Sequence, residues 1–237
     1  MGAKNVVGLV RALWGARRSA AFEAFRRRLD DGAGRRLDLA ALATLQGRER
    51  RRAEQMLLDA LPDPCAIEAL GELATARARR RLSALFEQQC ARAQAASVAG
   101  ETHWNGAALI ASAAALWRLA PQDRFVRVII GRLRHARAAS ERMDAAAALA
   151  RMPNREADQA LNEALDDRDA LVRHHVARAL LVLHGVEIDA HAAHCLIYAV
   201  MAGEAARREE GLRDIARALA QRPLRAGRDQ RAPGALI

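Results

Sequence analysis

The chain has 237 residues, a formal net charge of +10, three cysteines and only 3% aromatic residues. It has no run of about 18 apolar residues, the length that a membrane-spanning helix requires, which argues against a membrane protein. The cysteines are scattered and show no C-x-x-C spacing, so we expect a reducing, cytoplasmic compartment. β-branched residues are sparse and no alternating strand pattern appears, which predicts an all-α chain.

The positive charge points toward nucleic acid as a partner. Two features weaken that interpretation. Lys4 is the single lysine and alanine is abundant, a combination that a GC-rich coding sequence produces whatever the function. Few aromatic side chains exist on which the bases of a single strand could stack. The charge therefore predicts attraction to acidic surfaces in general.

Residues 1–46 read as short helices that precede the regular part of the chain. The first is a basic amphipathic helix with Val6, Leu9, Val10 and Leu13 on one face. Such a helix is typical of a cap that covers the end of a helical repeat array. A membrane-surface or targeting helix is the alternative.

Apolar stripes of helical spacing recur from residue 47 onward. The stripe at Ala53, Met56, Leu57, Ala60 and Leu61 has the spacing i, i+3, i+4, i+7, i+8, which places these residues on one helical face. First helices of successive pairs are predicted to begin near residues 48, 79, 123, 154 and 188. A spacing mostly in the low thirties is the period of a helical repeat.

The most regular pair lies between Pro153 and Gly185. Its first helix repeats the same apolar spacing, with Asn154 as a predicted N-cap. Its second helix is predicted to begin at a second cap, Asp169, and to end at Gly185, which tolerates a positive φ. When the preceding helix pair is aligned with it at an offset of 31 residues, Arg142 corresponds to Arg173. In that preceding pair, Asp123 is the predicted cap of the first helix.

The turn inside the most regular pair has the sequence D-x-D-x-x-V-R, formed by Asp167, Asp169, Val172 and Arg173. This motif resembles the HEAT repeat family, especially the bacterial HEAT-like repeats. The resemblance implies that Asp167 and Arg173 form hydrogen-bonded ladders between adjacent repeats and that Val172 lies in the core. The pair before it lacks the first acid of the turn, so we expect an interruption of the ladder there, beside Arg142.

The resemblance covers roughly residues 47 to 220 and implies an α-solenoid of about five HEAT-like helical hairpins with an N-terminal helical cap. We therefore divide the chain into capping helices at 1–46, repeats at 47–221 and a disordered basic tail at 222–237. The tail assignment depends on its prolines, glycines and spaced arginines.

The inner surface of a solenoid is built by the second helix of each pair. If the apolar stripe of residues 172–183 faces the core, the opposite face carries His174, Arg178 and Leu181. Alignment of the two preceding second helices with this one adds further positions. The resulting hypothesis is a partner-binding groove made of Trp117, Arg118, Arg151, His174, His175 and Arg178. Trp and Arg are frequent anchors of protein interfaces, although Trp117 could equally be a core residue.

The sequence contains few patterns that are typical of catalytic or metal-binding sites. No phosphate loop, dinucleotide fingerprint, H-E-x-x-H or G-x-S-x-G motif is present. Five histidines fall between His174 and His194, but no carboxylate–histidine spacing completes a metal site. Two clusters of arginines, Arg48, Arg51 and Arg52 and then Arg77, Arg80 and Arg81, are typical of a solvated surface unless they align across repeats to follow phosphates. We expect no enzymatic activity, cofactor or metal.

Two classes of function remain. The later half of the chain, from Arg142 to Gly185, is similar to HEAT-repeat immunity proteins of bacterial polymorphic toxin systems. That similarity implies a cytoplasmic, non-enzymatic protein that binds a cognate toxin domain with an acidic surface and blocks it. The alternative is DNA or RNA binding, by analogy with HEAT-like DNA glycosylases. A general scaffold, or a protein resembling the HEAT-like bilin lyases, is a further reading.

Overall fold

A computed structural model describes residues 19–30, 37–101, 104–186, 197–202 and 204–222, with the backbone alone at 27–30. Every regular element in these ranges is an α-helix, which confirms the all-α prediction. The chain divides into two compact units, residues 1–85 and 86–237. The division lies inside one long helix. The N-terminal amphipathic helix, the tail beyond residue 222, and the residues His191, His194 and Cys195 lie outside the described ranges.

In the described part of the first unit there are four helices and the start of a fifth. These are α1 (Ala20–Asp30), α2 (Leu39–Thr44), α3 (Gly47–Asp59), α4 (Pro64–Leu73) and α5 (Ala76–Ala99). The first helix packs on α2 and α3, α2 also packs on α4, and α3 packs on α4. The large side chains that are completely buried in this unit are Phe22, Phe25, Leu42, Leu57, Ile67, Leu70 and Leu82.

The starts of α2 and α4 follow directly from their sequences. Asp38 accepts a hydrogen bond from the amide of Ala41, and Asp63 accepts from the amides of Cys65 and Ala66. Pro64 occupies the first turn of α4, where its missing N–H costs nothing. These caps satisfy donors that a helix leaves free at its beginning.

The second unit contains the rest of α5 and six further described helices. They are α6 (Ala107–Leu119), α7 (Asp123–His135), α8 (Ala139–Leu149), α9 (Arg155–Ala164), α10 (Ala170–Leu183) and α11 (Ala205–Ala220). Residues 197–201 are also helical.

The packing of α6 to α10 separates them into two sets. In one set α6 contacts α8, and α8 contacts α10; in the other α7 contacts α9. Each helix of the second set also packs on its sequence neighbour in the first, so α7 pairs with α8 and α9 with α10. Alternate helices therefore lie side by side, and the apolar side chains between the two sets form the core.

The repeat offset between successive pairs is visible in the contacts of Asn154. This residue caps α9 by accepting hydrogen bonds from the amides of Glu156 and Ala157. Its Nδ2 atom donates to Asp123 Oδ1, 31 residues earlier, at 3.2 Å. The prediction that Asp123 caps α7 is wrong: Gln122 is the N-cap residue and makes no side-chain capping bond. Asp123 is the first helical residue, and its carboxylate accepts from Asn154 instead.

The C-terminal part of the second unit is held by close packing and polar contacts. Gly211 of α11 lies so near Ala199 and Val200 that a Cβ atom there would stand 3.0 Å or less from them. His184, which is buried, places Nδ1 2.7 Å from the carbonyl oxygen of Arg222 and Nε2 2.9 Å from Asp158 Oδ1. These contacts anchor the end of α11 to α9 and α10.

A helix that crosses a membrane must be long and apolar. Among the residues described, no helix is both long and apolar enough to cross a bilayer.

Candidate functional site

The predicted ladder residues meet between neighbouring helix pairs. Arg142 of α8 donates from Nε to Asp167 Oδ2 at 2.7 Å and from Nη2 to Asp167 Oδ1 at 2.9 Å. Its Nη1 donates to the carbonyl oxygens of Ala136 and Arg137 at 2.9 and 3.0 Å. The Arg142 side chain is 5% exposed and that of Asp167 12% exposed. The two residues, far apart in sequence, thus form a bidentate and largely desolvated ion pair.

Arg173 occupies the equivalent position one repeat later. Its Nη1 donates to the carbonyl oxygen of Asp167 at 2.8 Å, just as Arg142 donates to that of Ala136, the residue that aligns with Asp167. Its remaining donors reach Val200 O from Nε at 3.0 Å and Met201 O from Nη2 at 3.3 Å. Arg173 therefore binds a helix end, with backbone carbonyls in the place that a carboxylate takes for Arg142.

Asp167 and Asp169 have different hydrogen-bonding roles in the turn. Asp169 caps α10 by accepting from the amides of Leu171 and Val172. Asp167 Oδ1 accepts from the amide of Asp169 at 2.8 Å. Burial raises the pKa of the Asp167 carboxyl, but the hydrogen bonds from Arg142 and Asp169 and the charges of Arg142 and Arg168 outweigh it. The pKa consequently lies below its ordinary value.

The predicted groove residues fall on three helices that lie side by side. Trp117 and Arg118 are in the last turn of α6, Arg151 follows α8, and His174, His175 and Arg178 are on α10. The two arginines Arg151 and Arg178 are exposed and the other four residues are half-buried. All six residues are therefore at least partly accessible to solvent.

The prediction that Leu181 belongs to this surface is wrong. Leu181 was expected opposite the core, yet it is completely buried, as are Val176 and Leu180. The buried arc of α10 is wider than one apolar stripe, because α10 is covered by α8, α9 and α11 together. Leu171 and Val182 are the apolar residues that α10 exposes, at 55% and 42%.

On α10, one narrow arc contains residues 171, 175, 178 and 182. In the repeat alignment, residue 144 of α8 corresponds to residue 175, and residue 151, just after α8, corresponds to residue 182. We call the surface formed by these residues and the six predicted groove residues the second-helix face. Its residues are Trp117, Arg118, Asp144, Arg151, Leu171, His174, His175, Arg178 and Val182.

Aromatic groups meet at one end of this face. The rings of His174 and His175 have centroids 5.4 Å apart, and the ring of Tyr198 lies 6.4 Å from that of His174. Tyr198 is 65% exposed. The neighbouring Asp144 is the acid of the face: burial and then the Glu141 charge raise its pKa, whereas His175 acts in the opposite direction. The face thus combines exposed apolar groups with arginines and histidines.

A second feature, which the sequence analysis missed, is an open cavity of about 210 Å³ in the second unit. We call it the Trp104 cavity. The end of α5, the segment before α6, the end of α7 and the start of α8 line it, with Ala93, Ala96, Ser97, Gly100, Glu101, Trp104, Arg132, His135, Arg137, Ala138 and Glu141. The residues come from four segments that have no common sequence pattern, so only the fold brings them together.

A buried ion pair forms one wall of the Trp104 cavity. Arg132 Nε donates to Glu141 Oε1 at 2.5 Å, and the guanidinium carbon lies 4.8 Å from the centre of the Trp104 ring. Glu141 is 5% exposed. Gly106 makes room for the carboxylate, since a Cβ atom at Gly106 would stand 1.8 Å from Glu141 Oε1.

The arginine clusters of the first unit are exposed on α3 and at the start of α5. Some of these side chains make intramolecular contacts: Arg77 Nη2 donates to Gln55 Oε1 at 2.5 Å, and Arg52 lies 5.9 Å from the centre of the Phe22 ring. Within the described residues, no group of three or more His, Cys, Asp or Glu side chains is placed to hold a metal ion.

Comparison with known proteins gives no relative: no family model, no curated protein and no solved structure matches this chain.

Proposed function

We propose that this protein is a non-enzymatic, HEAT-like α-solenoid that binds a protein partner through the second-helix face. The repeat assignment is supported by the pairing of α7 with α8 and of α9 with α10. Equivalent arginine contacts at Arg142 and Arg173 support it as well. The bidentate Arg142–Asp167 pair joins these two hairpins in the way that the motif resemblance implies.

The exposed composition of the second-helix face carries the proposal of protein binding. Leu171 and Val182 are exposed apolar side chains on the same arc of α10 as His175 and Arg178. Exposed apolar groups surrounded by polar ones mark interaction sites, and Trp, Tyr and Arg are the residues that most often dominate the binding energy of protein interfaces. Tyr198 and Trp117 place such groups at two positions on or beside this face.

The charge of the face defines the partner. Arg118, Arg151 and Arg178 are its cations and the chain carries a formal net charge of +10, so an acidic protein surface is the complementary one. An immunity protein that binds an acidic surface of a cognate toxin domain in the bacterial cytoplasm fits these features best. The resemblance of residues 142–185 to HEAT-repeat immunity proteins supports this more specific assignment.

Co-purification from the native host tests the proposal. The tagged chain is captured at low and moderate salt, with nuclease, alongside a variant with Arg151→Glu and Arg178→Glu. The control variant carries Arg127→Glu and Arg155→Glu, the same charge change at exposed positions of α7 and α9. We expect one stoichiometric protein with the parent and with the control, and its loss with the face variant.

The immunity assignment requires one further result. The captured protein, expressed alone, must arrest growth, and co-expression of this chain must restore it. A captured protein without toxicity would support a scaffold instead. Recovery of nucleic acid without a protein partner, lost at moderate salt, would favour the nucleic-acid alternative.

A further inference from the structure

The Trp104 cavity centres on residues other than those of the second-helix face, although its Glu141 lies only about one helical turn before Asp144 of that face. It lies at the beginning of α8, whereas Arg151 follows the end of that helix and Trp117 lies in the last turn of α6. A helix of 11 residues, such as α8, spans about 16 Å. The arginines of the second-helix face therefore do not line the cavity.

One cation of the cavity is fixed in place from two directions. Glu141 accepts from Arg132 Nε, and the Trp104 ring lies against the guanidinium. The Nη1 and Nη2 groups of Arg132 make no hydrogen bond to any described residue, so their four N–H donors remain available. A guanidinium whose orientation is held by a carboxylate and an indole loses little conformational entropy when it binds an anion.

Further donors converge on the same space. The exposed residues Arg137, His135 and Ser97 line the cavity. Helix α8 begins there at Ala139, and its N-cap residue Ala138 has no polar side chain to cap the first-turn amides. Those free N–H groups and the helix dipole favour a negative charge at this position.

The acids of the cavity do not cancel this preference. Glu141 is buried and already neutralised by Arg132, and Glu101 is exposed on the α5 side, where solvent screens it. The exposed Arg137 and Glu101 are the other formal charges of the lining and solvent screens both, so the donors of Arg132 and the positive end of α8 carry the preference for an anion. The Arg132 guanidinium adds directional donors but, because of Glu141, no net charge.

We propose that the Trp104 cavity binds a compact oxyanion, the phosphate or carboxylate group of a small molecule. The group is received by the Nη atoms of Arg132 and the side chain of Arg137, with the first-turn amides of α8 behind it. Planar guanidinium groups suit such oxyanions because both oxygens can accept parallel N–H donors.

Binding of inorganic phosphate and of acetate to the purified full chain tests this, by calorimetry at constant ionic strength with chloride as the reference anion. We expect one saturable site. Arg137→Gln, an exposed change that leaves the Arg132–Glu141 pair intact, should weaken it about tenfold, the factor that corresponds to about 1.4 kcal/mol. Arg134→Gln is the matched control, because Arg134 pairs with Glu163 outside the cavity.

Gly106→Ala gives an independent variant within the cavity. The added Cβ displaces the Glu141 carboxylate, releases Arg132 from its fixed orientation and should also weaken the site. Tighter binding of phosphate identifies a phosphoryl ligand, and tighter binding of acetate identifies a carboxylate. Absence of saturable binding, or equal weakening by Arg137→Gln and Arg134→Gln, would overturn the proposal. Since no protein partner takes part, the result is independent of the proposed function.

Discussion

Arg142 and Asp167 join two neighbouring helix pairs through two parallel hydrogen bonds of 2.7 and 2.9 Å. The same guanidinium also binds the carbonyl oxygens of Ala136 and Arg137, so it fixes the turn before its own helix and the turn after the next one. One side chain thereby sets the spacing between successive hairpins, which no apolar contact does with comparable directionality.

Removing the carboxylate of this pair should destabilise the second unit strongly. In Asp167→Ala the Arg142 guanidinium stays buried without its counter-charge, a situation that typically costs about 3 kcal/mol. Urea unfolding measures the change in the free energy of unfolding. Glu163→Gln, which breaks the exposed pair with Arg134, is the control and should leave the midpoint nearly unchanged. Equal effects of the two variants would contradict the role given to Arg142.

The acid limb of the stability curve should report Asp167. Its pKa in the folded protein is lowered, so the ionised carboxylate contributes stability at a pH above the unfolded value of about 3.9. That contribution is lost as the pH falls through the lower folded value. Asp167→Asn should therefore be less stable than the parent near neutral pH and show a smaller loss of stability below about pH 4. Parallel curves for the two proteins would contradict this.

The sequence predicted those parts of the fold that depend on local patterns. The caps Asn154 and Asp169 lie within a few residues of the amides they bind, and the motif around Asp167 is a short contiguous pattern. The prediction for Leu181 failed because its burial depends on how many helices cover α10, which periodicity on a single helix does not encode. The prediction for Asp123 failed because Asn154, a full repeat away, engages its carboxylate.

The two candidate sites also differ in how far the sequence predicts them. The second-helix face could be outlined from an alignment of repeats, because residues at equivalent positions of adjacent helices share a surface. The Trp104 cavity could not, since Glu141 and Arg132 are close only after α7 and α8 pack together.

Two glycine-to-alanine changes should have opposite effects on stability. At Gly211 the new Cβ meets Ala199 and backbone atoms of Ala199 and Val200, so α11 must shift, at a cost of about 1–3 kcal/mol. At Gly131, inside α7, nothing lies within 4 Å of the added Cβ, and alanine should stabilise the helix by up to about 1 kcal/mol. Thermal unfolding of both variants checks the pair of predictions. Destabilisation by Gly131→Ala would contradict the packing described for α7.

An apolar truncation on the second-helix face should weaken partner binding without affecting the fold. Leu171 is 55% exposed on this face, and Val98, which is 86% exposed near the end of α5, lies outside it. We expect Leu171→Ser to weaken the complex about tenfold, a loss of about 1.4 kcal/mol, because the side chain is buried only in the complex. Val98→Ser should bind as the parent does. Titration calorimetry with the captured protein measures both, and an equal loss would exclude a specific role for Leu171.

The affinity of the chain for its captured protein, measured with the second-helix face reversed in charge, tests the central claim most directly. The measurement compares the dissociation constants of the parent, the variant with Arg151→Glu and Arg178→Glu, and the control with Arg127→Glu and Arg155→Glu, at moderate salt. Our account predicts that the face variant binds at least about tenfold more weakly while the control remains within a factor of about two of the parent. Unchanged binding by the face variant, or equal loss in both variants, would contradict it.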